Sequence, residues 1–251
     1  MNSATIVSCY YKIKSKHSHD QYREWIKNLL SNLRNNIIVF TSEDLVEYLK
    51  EIGKNNLQMI IIKKNFEEID LYKKYNIWDN QYNLDPQKKI RTKECYILWN
   101  SKMNFIKEAI DLNPFNSDKF IWTDIGCLRD KRFCNYIQNY PVYKNISNES
   151  LDIVLIKPYK NPNQIFFQNE VHLSGAMFGS SINTFKKIIP LYYYYFDEYV
   201  KRNLFIGCDQ QILSTLFTQH KYLFNLISPY KNCINEWFYL WIFYLKKNYF
   251  I

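Results

Sequence analysis

The sequence predicts an α/β fold: a single domain over residues 1–251, with a mostly parallel central sheet flanked by helices. Three observations carry this reading. Short apolar runs at 4–11, 37–40 and 57–62 alternate with stretches whose apolar residues recur at helical spacing, the pattern of strands joined by covering helices. The run Phe120-Ile-Trp-Thr123 shows no polar alternation and stops abruptly at Asp124-Ile-Gly126-Cys-Leu-Arg129. A strand buried on both faces of a parallel sheet has that composition. No internal repeat or low-complexity linker divides the chain, so one continuous domain is the economical organisation.

Taken in order, residues 4–11 form the first strand and lead into the polar loop Lys14-Ser-Lys16-His17-Ser-His19. Tyr22, Trp25, Ile26, Leu29, Leu30 and Leu33 then make one apolar stripe, so 20–33 is a helix. The second strand, 37–40, runs out at Thr41, and Ser42 is the expected N-cap of a helix over 44–52. A third strand spans 57–62. Between 63 and 91 the pattern dissolves while aromatics persist (Phe66, Tyr72, Trp78, Tyr82), which reads as short helices or an ordered excursion. A strong helix covers 93–112, bounded by Pro114, and the strand ending at Asp124 follows. Beyond a polar loop at 133–148, strands are expected at 152–156 and 171–179. A long helix covers 182–202, and Phe205-Ile-Gly207-Cys-Asp209-Gln-Gln opens a last one to 218.

Hydrophobic residues make up 47% of the chain and charged residues 23%, enough to fill a sizeable core. No apolar run approaches the roughly 18 residues of a membrane span, and Met1-Asn-Ser-Ala-Thr leads straight into a strand, so no signal peptide is expected. The six cysteines are scattered without a CxxC pair, which argues against both a disulfide framework and a zinc site. A cytoplasmic, reducing location follows as an expectation. The net charge of +9 calls for an anionic partner. The lysines are dispersed rather than gathered in one arm, so no nucleic acid is expected, and the Asn, Lys, Ile and Tyr bias is assigned first to AT-rich coding.

Asp124 emerges where its strand leaves the sheet, the edge at which open α/β sheets bind ligands. With Gly126 allowing close approach, it suits a divalent metal carrying a diphosphate; it suits equally well a cap for the following turn. Lys102, in Trp99-Asn-Ser-Lys102, is placed to aim a cation at the same edge, although composition favours a solvated lysine on a helix face. Gly175 and Gly179, set in an apolar strand, mark either close approach by a ligand or a bulge. Asp209 stands at a loop-to-helix junction, as an N-cap or as a group that orients or deprotonates an acceptor hydroxyl. His17 and His172 lack the partners a zinc site needs.

Several ordered pieces carry a resemblance: Tyr10-Tyr-Lys-Ile-Lys-Ser-Lys-His17, Trp99-Asn-Ser-Lys102 with Lys107-Glu-Ala-Ile110, Asn113-Pro-Phe115, Trp122-Thr-Asp-Ile-Gly126 with Arg129, Ser174-Gly175 with Phe178-Gly179, and Phe205-Ile-Gly207 with Asp209-Gln210. Through them the chain resembles the HtrL/YibB family of bacterial and giant-virus proteins, related to WlaTC and regarded as glycosyltransferase-like. The resemblance implies a GT-A-like fold and transfer of a sugar from a nucleotide-diphosphate sugar, UDP-sugar first, to a glycan hydroxyl in surface polysaccharide synthesis. It implies Mn²⁺ or Mg²⁺ on Asp124, catalytic roles for Asp124 and Asp209, and donor contacts from Lys16, His17, Thr41, Lys102, Gly126, Arg129 and Gly175. In GT-A enzymes the acidic motif is usually Asp-x-Asp; here Gly126 stands in the third position, leaving Asp209 or His172 to complete a metal shell, or basic side chains to neutralise the diphosphate without one.

The aromatic segment 237–247, within a C-terminal tail at 230–251, reads either as an element packed on the domain or as a peripheral membrane contact. A catalytically inactive binding protein on the same fold is the competing functional reading.

Overall fold

The computed structural model describes residues 3–230, 233 and 235–245. Seven strands form one sheet: β1 (Ala4–Tyr10), β2 (Ile37–Thr41), β3 (Met59–Lys63), β4 (Lys119–Thr123), β5 (Leu151–Leu155), β6 (Leu173–Ser181) and β7 (Phe224–Ile227). Their spatial order is β3-β2-β1-β4-β6-β5-β7. β1 to β4 pair parallel with one another, β5 pairs parallel with β7, and β6 alone runs against its neighbours β4 and β5. The mostly parallel sheet flanked by helices expected from the sequence is what forms.

Alternation along β1 and β2 explains the two-layer covering. Val7, Ile38 and Phe40 face a core shared with α3 (Tyr75–Leu84), α4 (Lys93–Leu112), α5 (Ile182–Lys201) and α6 (Asp209–Gln219). Ile6, Ile37 and Val39 face the opposite core, under α1 (His19–Leu30), α2 (Val46–Gly53) and α7 (Tyr239–Leu245). Adjacent residues of one strand thus fill different cores, which is why those strands read as unbroken apolar runs.

Several boundaries differ from expectation: the first helix stops at Leu30, β6 lies two residues later than expected, and β7 is a strand the pattern did not announce. The third strand begins at Met59, because Asn56 turns the chain there: its carbonyl accepts from the Met59 amide and its side chain from the Gln58 amide, leaving Leu57 exposed. Ser42 does not cap a helix directly. A 3₁₀ turn, Glu43–Leu45, intervenes, and the Ser42 hydroxyl donates to Asp44 at 2.6 Å instead of accepting a backbone amide. The first helix carries a reciprocal cap that the sequence reading passed over, Ser18 accepting from the Gln21 amide while the Gln21 side chain accepts from the Ser18 amide.

The C-terminal aromatic segment packs on the sheet. Tyr239, Leu240, Trp241, Ile242, Tyr244 and Leu245 are buried in α7, as the packed-element reading expects, while Trp237 just before it is exposed. Lys246 and Lys247, the expected basic flank, lie outside the described residues. Among the described residues no helix is long and apolar enough to cross a membrane.

The order of strands positions the site. From β1 the chain moves outward through β2 to β3, then returns to place β4 on the other side of β1. Open α/β sheets have their ligand crevice outside the carboxyl ends of strands at such a reversal. Asp124 is the residue that follows β4 there.

Candidate active site

Three elements bring charge to that reversal, and β6 adds a backbone carbonyl. Asp124 is held by its backbone: its amide donates to Ala176 of β6 at 2.9 Å, and its carbonyl accepts from Cys127, closing a tight turn. Its side chain therefore emerges beside β6, where Oδ1 accepts from the Trp122 indole at 2.7 Å. Lys102 comes from the middle of α4 and is only 5% exposed, so the solvated-lysine reading is overturned. Its ammonium donates to the Gly175 carbonyl at 2.8 Å and stands 3.2 Å from Asp124 Oδ1 and 3.1 Å from Asp209 Oδ2. One cation thus bridges two carboxylates that lie 85 residues apart in sequence, counting from 124 to 209.

Asp209 is the first residue of α6, and Cys208 occupies the cap position, so the N-cap reading of Asp209 is also corrected. It is 4% exposed, and its Oδ2 accepts no aligned hydrogen bond among the described residues, with the Lys102 ammonium 3.1 Å away as the nearest opposite charge. The loop feeding it is fixed by side-chain amides. Asn100 of α4 donates to Ile206 O at 3.0 Å, Gln81 of α3 accepts from the Ile206 amide at 2.7 Å, and Gln168 accepts from the Phe205 amide at 3.1 Å. A buried backbone with no sheet or helix partners needs such donors and acceptors, and here they hold the approach to Asp209 rigid.

Gly175 explains how β6 admits this cluster. The pairing of β5 with β6 slips, from Ile153 opposite Phe178 to Leu155 opposite Leu173, so β6 carries extra residues at this point. A Cβ on Gly175 would lie 2.5 Å from both Asp209 carboxylate oxygens. The glycine therefore makes room for a protein carboxylate. Gly126 is tight for another reason: a Cβ there would meet the Trp25 ring at 3.1 Å and the Tyr22 ring at 3.3 Å. Position 126 points at aromatic rings of the first helix and not into open space.

The charges bias the protons. Burial raises the Asp209 pKa, Lys102 pulls it back and Asp124 pushes it up again; the net direction is upward. For Lys102 burial acts downward, but the two carboxylates outweigh it and the ammonium stays charged. The neighbouring thiols of Cys9 and Cys127 are pushed well up, by burial first and then by Asp124, so they are protonated and poor nucleophiles. All six cysteines are free.

Above the cluster a cleft of about 300 Å³ opens, lined among others by Lys16, His17, Arg91, Trp99, Arg129, Asn235, Trp237 and Phe238. Arg129 is packed among aromatic rings, its guanidinium 4.3 Å from the Trp25 ring centre and 4.9 Å from that of Phe238. Its Nε donates weakly to Gly126 O at 3.4 Å. His17 packs edge-on against Trp25, and burial, then Arg129 and Lys16, lower its pKa toward the neutral ring.

Of the residues singled out in the sequence, Lys16, His17, Lys102, Asp124, Arg129, Gly175 and Asp209 line this one cleft, and Gly126 lines the adjoining hollow. Thr41 is not brought there: it is fully buried and its hydroxyl donates to Tyr10 O at 2.7 Å. His172 is also elsewhere, stacked on Tyr159 with its ring nitrogens facing Lys157 O and Glu170. Arg91, Trp237 and Phe238 are lining residues that no local motif announced. The last two belong to the aromatic tail, which reaches the cleft because Ser174 donates to Trp237 O at 2.7 Å.

The donor set does not suit a divalent ion held by the protein. Among the described residues no three His, Cys, Asp or Glu side chains converge as ligands. The notch between Asp124 and Asp209, where a shared ion would sit, is filled by the Lys102 ammonium.

No curated protein matches the sequence. Among solved structures, the crystal structure of mouse xyloside xylosyltransferase 1 in its apo form shares the fold, with a TM-score of 0.50 and 10% sequence identity over 90% of this chain and 85% of that one. At that identity the likeness speaks to the fold. The family described as "bacterial protein of unknown function (HtrL_YibB)" matches residues 2–245, and the chain belongs to it.

Proposed function

We propose that this protein is a glycosyltransferase that moves a sugar from a nucleotide-diphosphate sugar, UDP-sugar first, to a hydroxyl of a glycan acceptor in surface polysaccharide synthesis. The observation that carries the reading is the Lys102–Asp124–Asp209 cluster at the strand-order reversal, beneath a cleft walled by Lys16, Arg129, Trp99 and Trp237. A buried, incompletely hydrogen-bonded carboxylate facing a basic cleft is costly to a fold and repays its cost in chemistry.

In the reaction the acceptor oxygen bonds to the anomeric carbon as the bond from that carbon to the diphosphate oxygen breaks, and the diphosphate leaves with the electron pair. Arg129 and Lys16 meet the charge that develops on the leaving group. Asp209 faces the sugar with a negative charge, where positive charge builds in the transition state, and takes the proton that the acceptor hydroxyl releases. Its upward-shifted pKa makes it a stronger base than an ordinary aspartate. Trp99 and Trp237 offer apolar faces to the acceptor rings. No step is assigned to Mn²⁺ or Mg²⁺, because the donor set described above lacks a place for a protein-held ion.

Incubation with a panel of UDP-, GDP- and dTDP-sugars, with glycan acceptors, tests the proposal. Free nucleoside diphosphate should accumulate, and Asp209→Asn should cut its release by about 10²-fold or more. Nucleotide binding without any release by wild type would instead support the inactive binding protein. No nucleotide binding at all would sink both.

A further inference from the structure

We propose that the donor site works without a divalent cation: Lys102 is the fixed cation of the acidic notch, and Arg129 is the group that grips the donor diphosphate. This rests on the nucleotide-sugar reading above and specifies how its charge is handled.

The geometry divides the labour between the two cations. Lys102 donates to Gly175 O at 2.8 Å and stands 3.2 Å from Asp124 Oδ1 and 3.1 Å from Asp209 Oδ2. Its charge is thus already balanced by two carboxylates before any phosphate arrives. What it does is fill the position a bridging divalent ion would take and hold the carboxylates as a pair. It is a positioning residue. A metal ion could share Asp124 and Asp209 only after the ammonium had left, and the ammonium is buried against Trp122 as well, 5.7 Å from its ring centre. A side chain at position 126, where an Asp-x-Asp motif has its second carboxylate, would start in contact with the Trp25 and Tyr22 rings.

Arg129 is the complement. Its guanidinium lies against the Trp25 and Phe238 rings, and among the described residues only Nε donates a hydrogen bond, at 3.4 Å to Gly126 O. No acidic side chain pairs with it at ion-pair distance among the described residues. A rigid planar fork with free terminal amines, facing a cleft next to Lys16, matches the oxygens of a diphosphate in pairs.

The test uses the intact protein with two probes. UDP, GDP and dTDP are titrated by calorimetry in EDTA and again with MnCl₂, and Mn²⁺ alone is titrated by electron paramagnetic resonance. Binding in EDTA equal to binding with MnCl₂ upholds the proposal, and about tenfold or greater tightening by Mn²⁺ overturns it. Wild type should leave the free Mn²⁺ signal unchanged, whereas Lys102→Gln, which opens the notch, should quench it. Mn²⁺ retained by wild type and lost in Asp124→Asn overturns the lysine assignment, and that arm stands even if the lysine variant fails to fold. Arg129→Lys keeps the charge but loses the fork, so nucleotide affinity should fall about tenfold; unchanged affinity removes the arginine assignment. If no nucleotide binds under either condition, the nucleotide-sugar reading fails together with the arginine grip. The manganese arm still decides the lysine's place in the notch.

Discussion

The protein buries two carboxylates beside β6 in opposite ways. Asp152, on β5, is fully buried and saturated: Oδ1 accepts from Asn225 at 2.7 Å, and Oδ2 accepts from the Ser147 amide at 2.8 Å and from Tyr244 at 2.9 Å. Those donors tie β5 to β7, to the loop before it and to α7. Asp209 is nearly as buried, yet one of its oxygens takes no aligned hydrogen bond and faces an ammonium at the floor of a cleft. A carboxylate with its lone pairs filled is a rivet; one with a lone pair open and a cation beside it is positioned to act on something else.

The contrast can be broken most sharply at the open end. Asp209→Asn keeps the volume, removes the charge and should lower transfer by about 10²–10⁴-fold with the fold intact, read as nucleoside diphosphate release alongside a thermal melt. The opposite signature is expected from Asp152→Ala. It orphans three donors and should cost about 3 kcal/mol in chemical denaturation while leaving kcat/KM of the surviving folded protein close to wild type. Equal effects of both variants on activity per folded molecule would erase the distinction between the two carboxylates.

Gly175→Ala tests the room made for Asp209. Its Cβ would fall 2.5 Å from both carboxylate oxygens, and displacing them by about an ångström should cost about 10²-fold in rate. An alanine variant with wild-type kinetics would mean that the carboxylate position is immaterial.

The pH profile sharpens the comparison further. Asp209 must be ionised to accept a proton, and burial raises its pKa, so kcat/KM should fall on acidification through a value above the ordinary aspartate pKa of about 3.9. Lys102 works against that shift; Lys102→Gln removes a charge that favours the carboxylate, and the acidic limb should move to higher pH. Movement toward lower pH would contradict the assignment. The smallest effect is expected from Gly126→Ala, whose Cβ crowds Trp25 and Tyr22: about 1 kcal/mol of stability and no gain in Mn²⁺ binding.

The parallel half of the fold was legible because its pattern is local. Strands β1, β2 and β4 are apolar on both faces, and α4 begins and ends where its residues 93–112 indicate. The ordered motifs also pointed to most of the cleft. What local pattern misjudged was Lys102, since a lysine's environment is written by what packs over it. The partners that bury it, Gly175 and Asp209, come from an antiparallel strand and a later helix. Thr41 ends a strand at the same edge of the sheet, but its hydroxyl is spent on Tyr10.

The sequence by itself determined the class of fold, the edge of the sheet at which Asp124 emerges, and the absence of a second carboxylate at position 126. Those depend on periodicity and residue identity, which are read along the chain. Only the tertiary structure decided what stands in for that carboxylate. Long-range packing brings residues 102, 124, 175 and 209 within hydrogen-bonding reach of one ammonium, and a buried charge takes its meaning from those neighbours.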